Sequence, residues 1–63
     1  MDPVRHVKMI RDDVIFLDRF VHSFLVSRQK EMFTPAIMTV LDIIIEHCEQ
    51  LRRNIQKIEG IKP

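Results

Sequence analysis

The chain has 63 residues, so it holds at most one domain, and a domain this small buries only roughly 60% of the surface its unfolded form exposes. It is 46% hydrophobic and 30% charged, with ten Lys and Arg against nine Asp and Glu for a net charge of +1. That is too apolar for a disordered tail, too charged for a membrane span, and too balanced for the clustered positive field that nucleic acid requires.

Asp2-Pro3 opens the first element. An N-cap side chain directly before proline suits a helix start, since the cap accepts from an orphan N–H and proline has none to lose. Val7, Ile10, Val14, Leu17, Val21 and Phe24 then recur at alternating steps of three and four. This spacing predicts an amphipathic helix over about 3–30. A short link follows at about 31–34. Thr34-Pro35 is a second start signal of the same kind, with Phe33 and Met38 spaced as a hydrophobic staple. Ile37, Leu41, Ile44, Cys48, Leu51, Ile55 and Ile58 continue the same period, predicting a second helix over about 35–59. Gly60, Ile61 and Pro63 form its stop: glycine takes the left-handed angle and proline blocks continuation.

Two sustained seams joined by a short link predict an all-α fold, an antiparallel two-helix hairpin of coiled-coil type spanning 1–63 as a single domain. Folding at residue 32 or 33 would place Leu17 near Cys48, Phe24 near Leu41, Val7 near Ile58 and His47 near Asp18. The order of charges in the second helix, acidic early and basic late, suits the helix dipole, and Glu49–Arg53 is a favourable i,i+4 pair.

The chain has more apolar residues than one seam uses. Met9, Ile15, Phe16, Ile43 and Ile45 fall off it and are the expected partner-binding residues. Burying them would complete a four-helix bundle, either by dimerisation or by docking on other helices of a larger protein.

Little in the sequence carries chemistry. His6, His22, His47 and Cys48 are the metal-ligand candidates beside the carboxylates, and adjacent His47 and Cys48 point about 100° apart on a helix, so no metal or other cofactor is expected. Cys48, at a seam position, reads as a small inert hydrophobe. Asp12 and Asp13 diverge on a helix, no glycine-rich phosphate loop exists, and two helices offer no substrate cavity. Catalysis is therefore not expected. The longest apolar run, Ile43-Ile44-Ile45, is far short of the ~20 residues of a membrane span. The N-terminus lacks an apolar signal region, and with a lone cysteine the expected compartment is cytoplasmic.

The run "VKMIRDDVIFLDRFVHSFL" from Val7 to Leu25 supplies an acidic pair (Asp12, Asp13), then Phe16-Leu17, Arg19 and Phe24-Leu25. In these residues it resembles the N-terminal helical region of plant NLR immune receptors, of Rx-type coiled-coil or Solanaceae-domain kind. Val40-Leu41-Asp42 and Glu46 resemble that region's following helix, whereas "EHCEQLRRNI" stands where its acidic motif would be. The resemblance covers about half the chain and implies a helical module for self-association, autoinhibitory contacts or co-factor recognition in plant defense, with no enzymatic activity. From the residues themselves the expectation is a protein-interaction or oligomerisation module; the alternative is a small inhibitor-type protein that lays a helix on a partner enzyme.

Overall fold

A computed structural model describes residues 2–60. Two α-helices, α1 (Pro3–Val26) and α2 (Thr34–Glu59), pack against one another as an antiparallel hairpin, joined through a 3-10 turn at Lys30–Met32. The expected all-α hairpin is the fold.

Local chemistry sets each boundary. Asp2 is extended, and its Oδ1 accepts from the Val4 N–H at 3.0 Å, ahead of Pro3. At the other end of α1, the helix stops four residues earlier than the expected 30. Ser27 is extended (φ −79°, ψ 144°), and its hydroxyl accepts from the Gln29 N–H at 3.0 Å. Such a local side-chain turn competes directly with the helical ladder. Lys30 Nζ then donates to the Ser27 carbonyl at 3.0 Å and lies 5.8 Å from the centre of the Phe24 ring, closing the corner. Thr34 does not act as the N-cap of α2. Phe33 holds that position without a side-chain cap, and the Thr34 hydroxyl donates backward to the Lys30 carbonyl at 3.3 Å. Met38, the expected staple partner of Phe33, is exposed. Gly60 ends α2 with φ 71°, its N–H reaching the Lys57 carbonyl at 3.2 Å. Ile61 and Pro63 lie outside the described residues.

The early end of α1 changes the register. Asp13 and His47 stand opposite one another, with His47 Nδ1 donating to Asp13 Oδ2 at 2.6 Å. Residues whose numbers add to 60 therefore share a level along the hairpin. His6 and Asn54 fit the same rule, since both line one groove. The expected fold point lay about two and a half residues further along, which moves every cross-helix partner by five. So His47 meets Asp13 and not Asp18, and Leu17 is level with Ile43, not Cys48. His22 bonds its own helix through the Asp18 carbonyl at 2.8 Å.

The molecule measures 50 × 19 × 13 Å. Its thinnest dimension matches the ~10–12 Å diameter of one helix with its side chains. A single layer of helices has no interior. Among the described residues no apolar side chain is buried, and the one buried residue is His6, 3% exposed.

Candidate protein-interaction surface

The seam between the helices is turned by about half a residue, ~50°, from the expected one. In α1 the half-buried or buried positions include His6, Met9, Ile10, Asp13, Leu17, Phe20, Val21 and Phe24; in α2 they include Ala36, Ile37, Val40, Ile44, His47, Gln50, Leu51 and Asn54. The bulk of Phe20 and Val40 and the Asp13–His47 bond lie on the seam, and together they draw each helix round towards them. Both partners of that bond are 19% exposed.

This rotation corrects the expected seam and leaves much of it uncovered. Ile10, Leu17, Val21, Phe24, Ile37, Ile44 and Leu51 remain half-buried along the groove. Val7, Val14, Leu41, Ile55 and Ile58 are exposed, and so is Cys48, which is not enclosed as expected.

Those uncovered residues lie together. Ile58 aside, which continues the seam beyond the start of α1, they stand one step past the seam on each helix in the same rotational sense. Viewed from one end, antiparallel helices wind in opposite senses, so the two stripes emerge on one face of the hairpin. Val7, Val14 and Leu25 form its α1 half, and Leu41, Cys48 and Ile55 its α2 half, with Ile10, Val21, Ile37 and Ile44 between them. The same step past the seam also brings Arg11 and Asp18 to the α1 stripe and Arg52 to the α2 stripe, so each stripe is apolar with charge along its outer edge. A shallow depression on that side is lined by Ile44, Ile45, Cys48, Glu49 and Arg52.

The residues expected to meet a partner do not form one patch. Ile15 and Ile45 are exposed on the outer sides of the hairpin. Phe16 and Ile43 are exposed, and Met9 half-buried, on the face opposite the apolar one. There they are mixed with polar and charged side chains, and the groove of His6, Gln50, Arg53, Asn54 and Lys57 lies on the same side. Periodicity alone found the apolar stripe but could not say which part of it the second helix would cover.

Among the described residues no three of His, Cys, Asp and Glu gather as a metal site, and no helix is long and apolar enough to cross a membrane. Glu49 and Arg53 are paired at 3.9 Å on the exposed surface, where such a contact contributes little. No family model, curated protein or solved structure matches the chain.

Proposed function

We propose that the chain is a non-catalytic protein-interaction and oligomerisation module, and that its docking surface is the exposed apolar face carrying Val7, Val14, Leu41, Cys48 and Ile55. The supporting observation is the absence of a buried apolar side chain among the described residues, beside the exposure of Val7, Val14, Leu41 and Ile55 on one side of the hairpin. A compact chain of 7.5 kDa exposes roughly 4,200 Å² by the size scaling of monomeric proteins. This one exposes 5306 Å². The excess, on the order of 1,000 Å², is similar to the ~800 Å² that each partner contributes to an ordinary specific interface.

The resemblance of Val7–Leu25 to the helical region of plant NLR receptors gives the module a setting, as a cytoplasmic helical segment used in plant defense. The test is a pair of charge insertions, Leu41→Asp on the apolar face and Phe16→Asp on the opposite one. Leu41→Asp abolishes association while leaving most of the helix content, and Phe16→Asp has a much smaller effect. Equal loss from both, or unfolding by both with no association to lose, would count against this face.

A further inference from the structure

The groove on the side opposite the apolar face is built on a buried polar ring. His6 is 3% exposed, the one buried residue among those described. Its ring lines the groove, and its Nδ1 is enclosed with no hydrogen-bond partner. In His22 and His47 the same nitrogen is bonded, to the Asp18 carbonyl and to Asp13 Oδ2. A buried polar atom without a partner is costly, and native structures keep few of them. Packing of the hairpin does not account for the choice of histidine here, since an apolar side chain would fill the position at no such cost.

The wall of the groove comes from α2. Gln50, Arg53, Asn54 and Lys57 recur at steps of three and four, so one helical face carries all of them past His6. Asn54 is level with His6, and Arg53 and Lys57 lie within ~4.5 Å of that level at ~1.5 Å per residue. Asn54 has a partner of its own and serves only as part of the wall. The cavity is about 340 Å³, inside the range of roughly 300–1,000 Å³ of small-molecule sites. None of its lining residues is acidic. The nearby carboxylates are engaged elsewhere or held loosely: Asp2 Oδ1 accepts from the Val4 N–H, and Glu49 reaches Arg53 only at 3.9 Å on the exposed surface. Charge is also uneven along the hairpin. Residues 2–8 and 49–59 carry five basic against three acidic side chains, whereas 9–48 carry four against six.

We infer that this groove binds a phosphate dianion, either free or as the monoester of a small molecule. Arg53 offers a planar fork of donors to two phosphate oxygens, and Lys57 a second positive charge on the same wall. Gln50 adds an amide N–H, and the His6 ring donates from the floor. Two cations without a lining carboxylate match a charge of about −2, which a phosphate monoester carries near neutral pH. A single carboxylate would leave one cation unmatched. The site lies on the other side of the hairpin from the apolar face, so it does not depend on what covers that face.

The experiment is a nuclear magnetic resonance titration of the isotope-labelled full chain with inorganic phosphate and, separately, glycerol phosphate. Acetate is the monoanion control, and pH and ionic strength are held constant. Both phosphates should give saturable shifts at Arg53, Lys57 and the ring nitrogens of His6, leaving those of His22 and His47 in place. Equal affinity for the two means that the phosphate group alone is read; tighter binding of glycerol phosphate means that the groove takes the monoester. Arg53→Gln should weaken binding about tenfold or more. Arg52→Gln, which removes the same charge outside the groove, should leave it nearly unchanged. His6→Leu, checked for helix content by circular dichroism, should also weaken it. Shifts that never saturate, or that move all three histidines alike, overturn the site, as does acetate binding as tightly as phosphate. Equal weakening by Arg52→Gln and Arg53→Gln would show only a diffuse positive field, and a folded His6→Leu chain that binds phosphate unchanged would remove His6 from it; either result overturns the proposal. Should His6→Leu unfold, the two arginine variants, both at exposed positions, decide it.

Discussion

The cross-helix bond between His47 and Asp13 is the contact most open to quantitative attack. Both side chains are 19% exposed and their atoms are 2.6 Å apart. A hydrogen bond to a charged group of this kind contributes about 1.5–3 kcal/mol, and removing one partner leaves the other poorly solvated. The whole chain is stabilised by roughly 3–9 kcal/mol at ~0.05–0.15 kcal/mol per residue. Asp13→Ala or His47→Ala should therefore each cost about 1–3 kcal/mol, lowering the melting temperature by roughly 4–8 °C per kcal/mol in a domain this size. The assay is thermal unfolding followed by circular dichroism, as a double-mutant cycle with Asp13→Ala, His47→Ala and both, at one protein concentration. The two changes should be strongly non-additive, with a coupling of at least ~1 kcal/mol. Additive effects would refute the contact and, with it, the register in which residue numbers across the hairpin add to 60.

Asp2→Ala removes the side chain that accepts from the Val4 N–H; it should cost about 1 kcal/mol, read as a lower melting temperature with no change in association. Gly60→Ala forces a side chain into the left-handed region at φ 71°, although nothing lies within 4 Å of the added atom. It should cost ~1 kcal/mol and fray the end of α2 in amide-exchange measurements. Val14→Ala acts on association. Val14 is 48% exposed in the hairpin. That leaves on the order of 70 Å² to bury, or ~2 kcal/mol at ~25 cal/mol per Å². Alanine forfeits about half of this in each copy, so the dimer should weaken by roughly 30-fold. Helix content should not fall, because alanine favours the helix over valine.

Much of the fold was legible in the sequence because its signals are local. Asp2-Pro3 and Gly60 act through side-chain and backbone chemistry within a few residues, and the three-four alternation is a property of each helix alone. The end of α1 was missed because Ser27 looks unremarkable in a polar stretch. Its turn to Gln29 becomes a stop signal only when the chain reverses there. That four-residue error carried into the register and set His47 against the wrong aspartate. The exposed apolar face was legible as a stripe and expected to be part of the seam. Helical periodicity fixes which residues share a side, whereas the orientation of one helix about its axis depends on the partner. Here the bulk of Phe20 and Val40 and the Asp13–His47 bond turn each helix by about half a residue. Residues expected to be enclosed thus become the exposed face, and Phe16 and Ile43 are left on the other side.

One hairpin leaves its apolar face uncovered, and the proposed module covers it by association. Thermal unfolding of the full chain over a wide concentration range, with mass determined alongside by sedimentation, tests it most directly. A marginal 7.5 kDa species is expected when dilute, with a melting temperature that climbs with concentration as mass approaches twice that value. A monomer that melts cooperatively at one high temperature, whatever its concentration, would contradict it.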